Sequence, residues 1–206
     1  MNPIRLLYFA LATSNCVLAA ESRETFDQST QLPQGWQSGV TGQGSAKWEV
    51  VPEPSAPSKP NVLRQSGEAT FAWAAKMDAA IKDGFVEVKI NPIGGHEDQA
   101  GGIIWRVKDA NNYYVVRANA LEDNVRLYRV VQGRREQIGG KDTKVTSNEW
   151  HSLGIKAKGE RVTIEFDGET LFSTSDRTFA GAGKIGLWTK SDSVTRFDQI
   201  TIEMLE

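Results

Sequence analysis

The sequence predicts an all-β fold, a sandwich or a barrel of short strands, and three observations carry that prediction. From Phe85 onward, apolar and polar residues alternate with a period of two over short runs. Turn residues separate those runs at even intervals. Between the runs there is no sustained 3.6-residue period of the kind a packed helix needs.

Taken in order, Phe85–Ile90 sets Val86, Val88 and Ile90 against Glu87 and Lys89. Gly102–Val107 sets Ile103, Trp105 and Val107 against Ile104 and Arg106. The polar turn Lys108-Asp109-Ala110-Asn111-Asn112 leads to Tyr113–Ala118, and Glu122-Asp123-Asn124 leads to Val125–Val131. Gln132-Gly133-Arg134 is a tight reversal before Ile138. Trp150–Ala157, Arg161–Phe166, Thr170–Ser173, Lys184–Thr189 and Arg196–Glu203 complete the set. Asp167-Gly168 is the sharpest turn, because both residues accept the positive φ of a two-residue type I′ hairpin. Ala74–Ile81 is compatible with one or two helical turns, and the proline-rich stretch from Val51 to Pro60 reads as a surface loop.

Residues 1–20 read as an export signal: Arg5, then the apolar Leu6–Ala12, then small residues through Ala20. The apolar run is too short to span a bilayer, and residues 21–206 read as one domain. Cys16, the sole cysteine, falls in the signal, so the domain has no disulfide and no Cys-ligated metal. Arg5 is the only charged residue before position 21, leaving 23 basic against 26 acidic side chains. That balance disfavours nucleic acid or an anionic membrane as partner. The expected location is periplasmic or extracellular.

Several blocks resemble a known family: Gly101-Gly102-Ile103-Ile104-Trp105-Arg106 with Asn112–Arg117, Trp150-His151-Ser152-Leu153, Phe166-Asp167-Gly168-Glu169, Gly183–Thr189 and Ser193–Ile200. Over roughly residues 25–204 they are similar to the concanavalin A-like jelly rolls, in particular the 3-keto-disaccharide hydrolase domains. The resemblance implies a two-sheet antiparallel jelly-roll sandwich in an exported bacterial protein concerned with glycans or keto-sugars. Fold alone does not fix the activity.

Glu165-Phe166-Asp167-Gly168-Glu169 mimics the carboxylate motif of laminarinase-type β-glucanases, but the Asp-Gly turn would place Glu165 and Glu169 on opposite arms of a hairpin. His96, beside Glu97 and Asp98 in a glycine-flanked loop, is the candidate for proton transfer, whereas His151 lies in an alternating strand and reads as packed. Parity places Ile104 with Arg106, Tyr114 with Val116, Arg126 with Tyr128 and Gly186 with Trp188. If those strands are neighbours, Arg106, Tyr114, Arg126, Tyr128 and Trp188 line one open face. Rings stack on sugars and guanidinium groups bond their hydroxyls. Arg117 ends its strand and can turn to the same mouth; Lys190 and Asp192 follow Trp188 in a loop. No cofactor is required, although Asp27 and Asp198 are carboxylates that would suit a structural Ca²⁺.

The expectation is a domain that recognises an oligo- or polysaccharide on one sheet face. The alternatives are a hydrolase or lyase of 3-keto-glycosides, with one base and an Arg or Lys at the developing oxyanion, and an adhesion module without a small ligand.

Overall fold

The computed structural model describes residues 21–205, so the export signal read at residues 1–20 lies outside the described residues. Fifteen strands form two antiparallel sheets, and the described residues contain no α-helix. One sheet runs β13 (Glu169–Ser175), β12 (Arg161–Phe166), β11 (His151–Lys158), β6 (Gly84–Gly94), β15 (Val194–Met204), β4 (Asn61–Gln65), β3 (Trp48–Pro52), with β1 (Glu21–Glu24) also paired to β15. The other runs β10 (Arg134–Asp142), β9 (Asn124–Val131), β8 (Asn112–Asn119), β7 (Ala100–Asp109), β14 (Gly183–Ser191), β5 (Ala69–Ile81), β2 (Trp36–Gly44). This is the two-sheet jelly-roll sandwich that the family resemblance implies, and one of the two all-β forms that the alternation allows. The Asp167-Gly168 turn has φ of 49° and 82°, as a type I′ reversal requires.

Ala74–Ile81 is not helical. It lies within the thirteen-residue β5, paired on both sides with β2 and β14. Alanine favours helix locally, but two flanking strands satisfy this backbone, so tertiary context overrides propensity.

The core between the sheets is built from the inward parity of each strand: Ile103 and Trp105, Tyr114 and Val116, Leu127, Leu187, and across from them Val88, Ile90, Leu153, Ile164 and Phe197. Each such side chain contributes about 1.5–3 kcal/mol on removal from water. Trp105 stacks on Tyr114 at 5.0 Å between ring centroids, and Phe179 meets Tyr114 edge-on at 5.0 Å.

The seven-stranded sheet also carries a second, outward-facing cluster: Phe71, Ala75, Ile104, Tyr113, Val115, Tyr128, Val130 and Trp188. It stays dry because the sheet coils on itself. The Thr41 hydroxyl on β2 reaches the carbonyl of Ala110 and, at 2.9 Å, the hydroxyl of Tyr113 on β8. Three strands separate β2 from β8, so this contact closes the sheet corner to corner. Arg135 on β10 lies over the rings of Tyr128, Phe71 and Trp188, at 4.3, 5.1 and 5.8 Å from their centroids.

Candidate functional site

The outward face of the coiled sheet gathers the residues with recognition chemistry. Cross-strand partners share a face. The register Arg126–Arg117–Gly102–Trp188–Trp73 therefore forms one row and Tyr128–Val115–Ile104–Gly186–Ala75 the next. Arg117, Arg126, Tyr128 and Trp188 thus stand on the same surface.

Two members of the predicted set are elsewhere. Tyr114 pairs with Trp105 and Arg129, one residue out of step with the Ile104–Val115–Tyr128 row, and so points into the core. A one-residue slip exchanges the faces. Its hydroxyl donates to Asp176 at 2.5 Å and accepts the Phe179 N–H at 3.0 Å. Burial and the neighbouring Asp176 carboxylate push its pKa up to about 12. Arg106 sits where the β7–β8 ladder breaks, with φ of 49°, and the bulge swings its side chain off the face. Its guanidinium donates to the carbonyls of Lys82 (2.8 Å), Gly159 (2.7 Å) and Phe179 (3.0 Å) and pairs with Asp83. It is fully buried and binds the ends of the sandwich together.

The open-platform expectation also needs correction. Trp188 is 0% exposed and Tyr128 is 7% exposed, because the coil and Arg135 cover the rings. What remains accessible is the polar mouth where β8–β9, the 95–99 loop and the β14–β15 turn meet. There it is Glu122, Lys190, His96 and Glu97 that reach solvent, with Arg117 buried behind them at 3% exposure.

At that mouth Arg117 donates to Glu122 at 2.6 Å, to the Tyr128 hydroxyl at 3.2 Å and to Asn124. Burial raises the Glu122 pKa, but the Arg117 charge and hydrogen bonds from Asn124 and Arg117 outweigh it, with Lys190 adding a smaller pull, so the carboxyl titrates below its ordinary value. Lys190 pairs with the buried Asp98, whose other oxygen accepts from Asn119 at 2.8 Å. Asp192 accepts the backbone N–H groups of His96 (2.6 Å), Glu97 (3.1 Å) and Asp98 (3.0 Å). Its slight burial acts upward, but those three donors prevail and hold its pKa at about 2. Asp192 is thus the anchor of the His96 loop. The His96 side chain is exposed beside Glu97.

Adjoining the mouth is a groove of about 750 Å³ lined by Glu68, Thr70, Phe71, Glu97, Lys190 and Ser191, among others. Its size suits one or a few sugar rings. A hollow of about 300 Å³ on the other sheet, around Phe85, Lys156 and Glu165, brings no guanidinium or cluster of rings to its walls. Glu165 itself pairs with Thr170 across the hairpin, the turn geometry expected from Asp167-Gly168.

The alternation did not single out Arg135, Glu122, Asn124 or Phe71. Arg135 pairs with Val130, so extending the β9 parity through Gln132-Gly133 would have put it on the Tyr128 face. At the cation position considered for Asp27 and Asp198, Asp198 accepts from Ser58 N–H (2.7 Å), Ser58 hydroxyl (2.7 Å) and Gln199 N–H (2.8 Å). A Ca²⁺, which takes about six to eight oxygens, would have to displace those donors, so the residues do not fit it as arranged. Burial, with the Asp27 charge adding to it, raises the Asp198 pKa.

No family model matches the sequence. A levanase of Bacillus subtilis is 29% identical over 145 residues, covering 69% of this chain, and the chain spans 19% of that protein. Among solved structures, the carbohydrate-binding module CBM66 from Bacillus subtilis superposes with a TM-score of 0.69 at 22% identity over 82% of this chain and 95% of that one. The β-glucanase of Bacillus licheniformis gives 0.62 at 12% identity, covering 90% and 98%. A family 16 glycoside hydrolase of Bacteroides ovatus, in complex with a mixed-linkage glucan product, gives 0.64 at 8% identity, covering 88% and 99%. The chain has the jelly-roll fold shared by these lectin-like and glucanase domains.

Proposed function

We propose that this protein is a carbohydrate-recognition domain that binds a sugar at the polar mouth of its coiled sheet. The observation that carries the reading is the convergence of Glu122, held by Arg117, which is buried behind it against Tyr128, with Lys190 and Glu97 beside a groove of about 750 Å³ walled in part by Phe71. These groups supply paired donors and acceptors for vicinal hydroxyls and an aromatic edge for a ring face. The likeness to a levanase segment and to a carbohydrate-binding module supports the same class of ligand. The basic, apolar and small-residue pattern of residues 1–20 supports export. Among the described residues, no helix is long and apolar enough to cross a membrane.

Titration calorimetry of the full chain against levan, mixed-linkage β-glucan and short oligosaccharides tests this. Saturable binding that weakens at least about ten-fold in Glu122→Gln and Lys190→Ala is expected, since each removes an accessible hydrogen-bonding group from the mouth. Binding unchanged by both variants, or no binding to any saccharide, sinks the reading.

A second reading, 3-keto-glycoside cleavage, follows from the resemblance to the 3-keto-disaccharide hydrolase domains and from the exposed position of His96 beside Glu97, which lines the groove. In it His96 removes the C2 proton made acidic by the C3 ketone and Lys190 stabilises the enolate oxygen. The enolate then collapses to a C1=C2 double bond as the glycosidic C1–O bond breaks, and the departing sugar oxygen takes the proton back from His96. Release of glucose from 3-keto-trehalose, lost in His96→Ala, distinguishes it from binding alone.

A further inference from the structure

Arg135 has an unusual position. Among the described residues every other arginine either has a carboxylate within salt-bridge reach or stands exposed. Arg135 is neither. It is partly buried, its guanidinium is laid over Tyr128, Phe71 and Trp188, and its Nη1 is shielded from solvent without an acceptor. The Nε of Arg117, which lies over the same Tyr128 ring at 5.8 Å, is likewise buried without an acceptor.

The charges around it do not cancel. Arg117 is matched by Glu122 and Lys190 by Asp98, which leaves the Arg135 cation in surplus. Burial pulls its pKa down, with the Arg117 charge adding to it, and the Tyr128, Asp98 and Glu122 groups offset this only in part, none of them as a direct ion-pair partner. Aromatic faces offset part of that cost. A buried donor left unmade still costs about 1–3 kcal/mol, and a carboxylate is the acceptor that relieves a guanidinium best. Phe71, one of the rings beneath Arg135 at 5.1 Å, also lines the groove, and Arg135 itself opens onto a second hollow of about 500 Å³ with Gln132, Arg134 and Glu136, so an oligosaccharide extending past Phe71 comes within reach of the guanidinium.

Resting on the carbohydrate-binding reading, we infer that Arg135 receives a sugar-borne carboxylate, so that the ligand of this mouth is an acidic oligosaccharide built from uronate units. The carboxylate takes the Arg135 N–H donors other than the shielded Nη1. The ring hydroxyls fall to Glu122 and Lys190.

The experiment compares a trigalacturonate, its methyl ester and a neutral fructo-oligosaccharide of equal length, titrated into the wild-type full chain and into Arg135→Gln and Arg135→Lys. The wild type is expected to bind the acid at least about ten-fold more tightly than the ester, with an advantage that shrinks as salt rises. Arg135→Gln abolishes that preference while changing affinity for the ester by no more than about two-fold. Arg135→Lys keeps part of it, because the charge survives and the planar fork does not. Thermal unfolding of both variants confirms that they are folded. Equal binding of acid and ester by the wild type, or equal losses for both in Arg135→Gln, overturns the inference while leaving the carbohydrate-binding reading standing. Failure of every saccharide to bind removes both.

Discussion

His151 and Asp167 hold each other across the base of the sharpest turn in the chain: His151 Nδ1 lies 2.7 Å from Asp167 Oδ2, and His151 Nε2 faces the Thr146 carbonyl at 3.0 Å. With an acceptor at each ring nitrogen, the imidazolium is the form that satisfies both. Burial opposes the charge, but the Asp167 and Thr146 hydrogen bonds outweigh it and raise the His151 pKa. Burial likewise opposes the Asp167 carboxylate, and His151 with the Ser152 N–H outweighs it and lowers its pKa.

The sign of the resulting pH dependence follows. The His151 contribution is complete below its unfolded value of about 6.5 and fades as pH rises through its raised folded pKa. The Asp167 contribution is complete above about 3.9 and fades as pH falls through its lowered one. The pair therefore stabilises most in the mildly acidic interval between. Proton NMR should show His151 titrating above an exposed histidine, and denaturant midpoints should fall on either side of that interval. A His151 titration at or below the ordinary value would contradict this.

Arg106→Met should destabilise the protein by about 3–5 kcal/mol, because it strands Asp83 and three carbonyls at the end of the sandwich. Urea unfolding measures the loss. Sugar affinity of the fraction that folds should be unchanged, since Arg106 is far from the mouth in the register. A specific loss of affinity at full stability would restore it to the binding surface.

Gly186 sits where a Cβ would strike the backbone of Ala74 and Ala75 on the neighbouring strand β5. Those atoms belong to a paired ladder and cannot move aside. Gly186→Ala should cost about 1–3 kcal/mol by overpacking, read as a lowered unfolding midpoint. A neutral effect would mean β14 and β5 separate more easily than their register implies.

Asp192→Ala should release the 95–98 loop, whose three N–H groups lose their shared acceptor. Limited proteolysis should cut faster near His96 and Glu97, with the sandwich otherwise intact. The same loosening appears in the wild type only at strongly acidic pH. A carboxyl with a pKa of about 2 keeps its stabilisation above the unfolded range and loses it as pH falls through that value. Unchanged cleavage would show that Asp192 is dispensable to the loop.

The sandwich was legible because burial imposes a period of two on every strand, and from Phe85 onward almost each run became the strand expected of it. The site was legible only in part, for local reasons. Parity within a strand is visible in sequence, but parity between strands depends on the length of the turn and on bulges. The irregular Lys108–Asn112 reversal shifted Tyr114 to the inner row, and the bulge at Arg106 took that side chain out of both faces. Arg117, Arg126, Tyr128 and Trp188 came together because β8 and β9 pair without interruption and β7 meets β14 in register at Gly102–Trp188. The coil that covers Trp188 leaves no trace in alternation, since it is set by the twist of the whole sheet.

The contact of Thr41 with Ala110 and Tyr113 has a consequence for how this scaffold can be adapted. It joins two places the hydrogen-bonded ladder does not connect, so the spacing between the walls of the crevice is governed by a hydroxyl and a short reversal remote in sequence from the ligand-facing side chains. Lengthening the 109–112 segment, or replacing Thr41 with valine, would unlatch the walls while leaving Arg117, Tyr128 and Arg135 in the chain. Affinity for bulkier or branched glycans becomes adjustable through preorganisation alone, with the recognition chemistry held constant.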